Sequence, residues 1–335
     1  MTARIPQHSA LTLPWSTDWT QIFGNTRPLI VEIGFGTGTF LQFLAKKYPE
    51  HNLIGLEISN QCLAKAEKMI QREGFTHVRV VHARAETALH HLFEPGSVEQ
   101  FYINFPDPWF KTSHHRRRLM QHDTVDALVS RLATGGALYL ATDILDYAEL
   151  AADLLEHTPQ LDNQLSTRWG NKLPGRITTK YEAKAQREGR PCYYFAYQRN
   201  STPAPNIPVL KELTMPHVVL YTPLSIDDMR SKFQPFDAHD GDIVIGFNEV
   251  YRGRNALLFE IYAHEPTIDQ HTALLLTPHM NNAVGEFTLQ MTTLGHTRAT
   301  AGIHLATRAL SEWLVSLSSD ARILNQKISK AEDDG

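Results

Sequence analysis

The chain has 335 residues, 42% apolar and 20% charged, with 32 Lys/Arg against 36 Asp/Glu for a net charge of -4. At about 150 residues per domain, this length predicts two domains or one with an extension. The composition excludes a disordered or fibrous chain. The mildly negative balance excludes a generic polyanion binder, so any nucleic-acid contact has to come from a local patch.

Apolar runs alternate with helical patterns from about residue 28 to 157. Leu29–Ile33 reads as a buried strand, Thr39–Tyr48 as the helix after it, Leu53–Leu56 as the next strand and Gln61–Arg72 as the next helix. Val78–Val81 is a third strand, Glu86–Leu92 a short helix and Val98–Phe105 a fourth strand. A long helix over His115–Leu132 is expected to end at Thr134-Gly135-Gly136. The strand Ala137–Ala141, the helix Tyr147–Glu156 and a late strand Tyr193–Tyr197, antiparallel at an edge, complete the pattern. Strands alternating with helices predict an α/β fold: a Rossmann-like parallel sheet with helices on both faces.

The polar, proline-rich segment from Asn200 to Asn206 is the candidate linker. Beyond it, strands are expected at His217–Tyr221, Asp242–Phe247, Ala256–Tyr262, Ala273–Leu276 and Phe287–Met291, with a turn over Tyr251–Asn255 and a helix over Thr300–Leu317. This is the pattern of a smaller C-terminal α+β domain. The domains are therefore read as 1–200 and 207–330. Residues 201–335 hold 10 Lys/Arg and 16 Asp/Glu, a net of -6, leaving 22 and 20, a net of +2, for residues 1–200. The first domain is the better polyanion partner.

Cys62 and Cys192 are too few and too far apart for a disulfide framework or a four-ligand zinc site, which fits a reducing cytoplasm. Arg4 is followed by Gln7, His8 and Ser9 instead of an apolar core, so the N-terminus does not read as a signal peptide. The longer apolar runs, Ala137–Ala141 and Ala273–Leu276, fall far short of the roughly 20 residues of a membrane helix. A cytoplasmic protein with no membrane partner is expected. No metal is expected either: Asp237–Asp242 reads as a turn before a strand, and His264, His271, His279 and His304 as ordinary surface or core residues.

Chemistry concentrates in the first domain. Glu32-Ile33-Gly34-Phe35-Gly36-Thr37-Gly38 follows the first strand and opens a helix. A dinucleotide fingerprint wants glycines at the first, third and sixth positions; counted from Gly34, the sixth is Thr39. The observed pattern, acid-x-Gly-x-Gly-x-Gly, suits a ligand with no pyrophosphate. Glu32 would repel phosphate and attract a sulfonium or an ammonium. Glu57 ends the second strand, where a carboxylate can accept ribose hydroxyls. These acids and glycines are similar to the S-adenosylmethionine site of class I methyltransferases.

The fourth strand runs into Asn104-Phe105-Pro106-Asp107-Pro108-Trp109. Ligands of open parallel sheets sit at the carboxyl ends of the strands. The prolines restrict the backbone around Asp107, and Trp109 offers a flat face for a base. Lys111 and the run His114-His115-Arg116-Arg117-Arg118 follow at once, placing a basic cluster suited to phosphate contacts beside the expected pocket.

Together with Ala141-Thr142-Asp143 and Thr179-Lys180-Tyr181-Glu182, these motifs in this order resemble the bacterial tRNA (guanine-N7)-methyltransferases over roughly residues 25–198. The resemblance implies a monomeric or homodimeric enzyme that uses S-adenosylmethionine to methylate N7 of the guanosine at tRNA position 46, in the variable loop. It implies cofactor contacts by Glu32, Gly34, Gly36, Gly38, Glu57, Asn104 and Asp107, with Asp107 as the active-site residue. It implies guanosine or tRNA contacts by Lys111, Arg116, Arg117, Asp143 and Thr179 to Glu182. One position departs. The family usually carries Asp or Asn beside the adenine, where this chain has Arg84; Arg84 and Ala85 are counted with the cofactor contacts, and the backbone N–H of Ala85 can still read that ring. Residues 201–335 lie outside the resemblance, and could extend the tRNA surface, self-associate or bind another protein. Two rival readings stand beside this one: an amino-group methyltransferase acting on adenine in nucleic acid, and a tRNA- or cofactor-binding protein without turnover.

Overall fold

A computed structural model describes residues 8–111, 118–280, 283–292 and 296–329. The chain divides between Leu210 and Lys211 into two compact units.

In unit 1 the elements are β1 (His8–Ser9), α1 (Trp19–Phe23), β2 (Leu29–Ile33), α2 (Thr39–Lys47), β3 (Asn52–Glu57), α3 (Asn60–Glu73), β4 (Val78–His82), α4 (Ala85–His91) and β5 (Val98–Asn104). They continue with α5 (His122–Arg131), β6 (Leu132–Thr142), α6 (Leu145–Glu156), β7 (Leu161–Asn163), α7 (Lys180–Arg187) and β8 (Tyr193–Arg199). Among the described residues the sheet order is β1-β4-β3-β2-β5-β6-β8-β7. The strands from β1 to β6 pair in parallel, while β8 runs antiparallel to both β6 and β7. The expected α/β sheet is present.

Alternation along the strands sends side chains into two cores. Ile30, Leu53 and Val80 pack with Phe40, Leu41 and Leu44 of α2 and with Leu63 and Ile70 of α3. Val31, Ile33, Phe101 and Leu138 pack on the other face with Trp19 of α1, Leu89 of α4, Leu128 of α5 and Tyr147 of α6. Gly55 of β3 marks how tightly the first core fills: a Cβ there would lie 2.6 Å from Phe35 Cδ1 and 2.8 Å from Leu41 Cδ2.

Three local expectations are corrected. The helix expected from His115 begins at His122, with residues 115–117 outside the described ones. Gln121 is extended (φ -140°, ψ 161°). The Met120 N–H goes to the Tyr147 hydroxyl, and Arg118 donates to Pro108 O. The Met120 N–H is therefore not available to a helix. The late strand is not the edge, since β7 pairs outside it. The proline-rich segment is fastened to unit 1: Asn200 bonds Pro159 O and Asp162, Gln160 donates to Pro203 O, and Ala204 and Ile207 pack on the core. Arg131, fully buried, donates to Leu89 O at 2.6 Å and to Ile207 O at 2.7 Å.

Unit 2 contains β9 (His217–Tyr221), α8 (Ile226–Ser231), β10 (Phe236–Asp240), β11 (Ile243–Arg252), β12 (Leu257–Glu265), β13 (Ile268–Pro278), β14 (Glu286–Met291), α9 (Ala301–Ser316) and β15 (Arg322–Lys327). They form an antiparallel sheet in the order β10-β11-β12-β13-β14-β9-β15. Ile303, Leu310 and Leu314 of α9 pack on Phe247, Phe259 and Leu274 of the sheet. Most of the segment expected as a turn before a strand is itself strand, β10, and only Gly241 and Asp242 turn the chain into β11. No helix of the described residues is long and apolar enough to cross a membrane.

His304 of α9 joins the two ends of unit 2. Its Nε2 donates to Thr214 O at 2.8 Å, and its Nδ1 accepts from the Ser329 N–H at 2.8 Å. Burial holds its pKa below the usual histidine value. A lowered folded-state pKa means the stability it contributes is present above the unfolded pKa of 6.5 and is lost as pH falls through the folded value. Unit 2 is expected to lose stability below that pH. His304→Ala should cost about 1–3 kcal/mol at neutral pH, by removing the two hydrogen bonds to Thr214 O and the Ser329 N–H. Thermal melts of both proteins from neutral to mildly acidic pH check this. A variant with the wild-type pH slope would contradict it.

Candidate active site

The loop after β2 turns back over the sheet by three left-handed glycines, Gly34 (φ 72°), Gly36 (φ 55°) and Gly38 (φ 79°). Side chains are strained in this region, which glycine enters freely. A Cβ at Gly34 or Gly36 would meet nothing within 4 Å, so the loop borders open space. The Gly34 N–H donates to Leu56 O at 2.8 Å, and the Gly36 N–H to Glu57 Oε2 at 2.9 Å. Glu57 Oε1 accepts from the N–H groups of Ile58 (2.8 Å) and Ser59 (3.0 Å), where α3 begins. One carboxylate thus ties the glycine loop to the entry of the next helix.

Glu32 is 1% exposed on β2. Its Oε1 accepts from Asn104 Nδ2 at 3.3 Å, and its Oε2 is buried without a partner. Burial pushes its pKa up to about 8, against the pull of the Asn104 amide and the Arg176 guanidinium. Arg176 Nη2 donates to Asn104 Oδ1 at 2.6 Å, completing a chain from Arg176 through Asn104 to Glu32. Sequence reasoning missed Arg176. It belongs to no local pattern, and its partner lies 72 residues away.

β5 ends at Asn104, and Phe105 (φ 53°) and Trp109 (φ 43°) are both left-handed without being glycine. Such conformations cost free energy and persist only where the surroundings enforce them. Here the Phe105 N–H bonds Ala141 O at 2.7 Å, and Arg118 Nε bonds Pro108 O at 2.7 Å. Between these two fixings Asp107 is exposed, as is Lys111. Phe110 is 72% exposed beside them. Arg116 and Arg117, like His114 and His115, lie outside the described residues.

The other expected residues fall at the same end of the strands with differing engagements. Arg84 is the extended N-cap of α4 and pairs with Glu86 at 3.5 Å, while Ala85 is the buried first residue of that helix. Asp143, after β6, is ion-paired with Arg190, which also holds Glu188 at 2.6 Å. Thr179 and Glu182 form a capping box on α7: Thr179 Oγ1 accepts from the Glu182 N–H at 3.1 Å, and Glu182 Oε2 from the Thr179 N–H at 3.2 Å. Lys180 and Tyr181 between them are exposed. Hydrogen bonds therefore join Glu32 to Asn104 and the glycine loop to Glu57. They give Thr179 and Glu182 a structural duty as well.

An acid-rimmed glycine loop, a second acid on the next strand and a proline-flanked Asp on the far side define a methyltransferase, and residues 26–195 match the model of a family described as putative methyltransferase. Curated relatives make this more specific. A protein of Xylella fastidiosa named tRNA (guanine-N(7)-)-methyltransferase is 36% identical over 183 residues, 54% of this chain and 75% of its own length. One of Alkalilimnicola ehrlichii with the same name is 37% identical over 186 residues, 56% of this chain and 78% of its own length. The chain belongs to the family of tRNA (guanine-N(7)-)-methyltransferases. The family match ends before unit 2 begins.

An acid whose folded-state pKa is raised contributes stability below its unfolded value of 4.5 that is lost as pH rises through about 8. The free protein should weaken over that window, and Glu32→Gln should flatten the fall. Urea midpoints measured at several pH values check this; an unchanged slope in the variant would show that Glu32 is not the group responsible.

Proposed function

We propose that the chain transfers the methyl group of S-adenosylmethionine to N7 of a guanosine in tRNA, at position 46 in the variable loop, in the cytoplasm. The observation that carries the reading is that the stretch shared with the tRNA methyltransferases contains Glu32, Glu57 and Asp107, set at the carboxyl ends of three neighbouring strands. The residues present fit the cofactor. Glu32 Oε2 is a buried acceptor in want of a donor, as an ammonium would supply, and the space over Gly34 and Gly36 is open. Glu57 keeps lone pairs for ribose hydroxyls beyond the three backbone N–H groups it already accepts. The Ala85 N–H, at the start of α4, is the donor for the adenine edge.

The bound cofactor supplies a methyl group on a positively charged sulfur. Guanine N7 has an in-plane lone pair and no proton, so the chain need not provide a strong base. What it provides is alignment and charge. Asp107, held between two prolines, orients the base and stabilises the positive charge that the purine gains. Trp109 offers a stacking face for a base brought out of its loop. Lys111, Lys180 and Tyr181 are exposed at the rim, where RNA would lie; Arg116, Arg117 and Asp143 are assigned to the same substrate surface.

Labelled methyl transfer to unmodified tRNA, mapped by cleavage at N7-methylguanosine, tests this directly. A single labelled guanosine in the variable loop is expected; label on adenine, or none, would overturn the reading. Asp107→Asn should lower kcat by roughly 100-fold or more, in the range of lost transition-state electrostatics, while cofactor affinity stays close to wild type. Unchanged turnover would remove Asp107 from the chemistry.

A further inference from the structure

Arg176 lies in the irregular segment between β7 and α7, yet it is held from several sides. Its guanidinium carbon sits 4.9 Å from the centre of the Phe40 ring of α2 and 5.0 Å from that of Tyr194 of β8. Its neighbours are fixed too: Lys47 Nζ donates to Gly175 O at 2.9 Å, and Ile177 packs against the core beneath α2 and α3. Its Nη2 donates to Asn104 Oδ1 at 2.6 Å, while its Nε and Nη1 are buried without partners among the described residues.

That single bond determines which end of the Asn104 amide faces Glu32. An amide has a donor end and an acceptor end. With the oxygen committed to Arg176, the Nδ2 group faces Glu32 and donates to it. Without the arginine, the amide is free to turn and present an oxygen to a carboxylate. The guanidinium charge also acts on Glu32 across the amide; Glu182, Tyr194 and Tyr102 face the guanidinium as well, and the Glu57 carboxylate opposes it at Glu32.

We propose that Arg176 is a positioning residue for methyl transfer, fixing the Glu32 carboxylate through Asn104 so that its unpartnered oxygen receives the ammonium of the cofactor's amino-acid end. The inference rests on the S-adenosylmethionine reading above. It assigns a role to a residue outside every motif, and the role concerns one end of the ligand only.

That selectivity makes it testable by binding alone. S-adenosylhomocysteine carries the amino-acid end, and 5′-methylthioadenosine lacks it. Affinities of both are measured by titration calorimetry across pH for wild type, Arg176→Met and Arg176→Lys. Arg176→Met should weaken S-adenosylhomocysteine roughly tenfold at neutral pH, the scale of one charge-assisted hydrogen bond. The pH at which that affinity rises should move upward, since Glu32 loses the positive charge that favours its ionised form. Affinity for 5′-methylthioadenosine should not change, which also shows that the variant is folded. Arg176→Lys should recover part of the pH shift. Parallel losses for both ligands would make Arg176 a packing residue and overturn the inference. So would unchanged S-adenosylhomocysteine binding, including the case in which only tRNA binding weakens. If wild type binds neither ligand, the cofactor reading itself fails, a result seen without any variant.

Discussion

The site depends on one carboxylate. The loop after β2 and the entry to α3 belong to successive βα units, and they are joined by Glu57 accepting three backbone N–H groups, from Gly36, Ile58 and Ser59. Hydrogen bonds to a charged acceptor contribute about 1.5–3 kcal/mol each. The first of them is possible because the left-handed glycines turn the Gly36 N–H toward the neighbouring strand. A ligand therefore meets a loop already in place, and its hydroxyls add to an anchor that exists without it. Preorganisation of this kind lowers the ordering cost of binding.

The two acids at this end of the sheet are built to opposite specifications. Glu57 is partly exposed and well supplied with donors. Glu32 is buried, has one amide donor, and leaves an oxygen unpartnered. The first is a structural acceptor with capacity to spare; the second is a destabilised group that a cation would relieve. With Glu32 on β2 and Glu57 at the end of the adjacent β3, the sheet presents one side whose acceptor is already supplied with donors and one side whose acceptor lacks a donor. The adenosine and amino-acid ends of the proposed cofactor match those two sides.

Much of this was legible in the sequence. Strands β2 to β6 each carry a short apolar stretch, such as Leu29–Val31, Phe101–Ile103 and Ala137–Ala141, because both faces of the sheet are covered, and the glycine loop announces itself by composition. Short elements escaped notice: β1, α1 and β7 are five residues or fewer, too brief for a periodic signal. The strands β10 and β15 are exposed edges whose polar residues hide the alternation. Thr179–Glu182 shows a different limit. The same four letters that resemble a substrate motif also spell a capping box, and only coordinates show that two of the side chains close the helix end. His304 looked ordinary in sequence, yet it links Thr214 to Ser329, each at least 25 residues away.

The path of the chain after β8, within unit 1, follows from the same physics of buried polar groups. Burying the Arg131 guanidinium is costly unless its donors are met. They are met by carbonyls of Leu89, Ile207 and Pro208. The chain leaving β8 is thereby a fixed part of unit 1 up to the point where unit 2 starts. A second unit can follow such an exit without altering the strands that hold Glu32, Glu57 and Asp107. With residues 201–335 at a net of -6 and residues 1–200 at +2, the polyanion of the proposed reaction is better matched to the unit that carries the site.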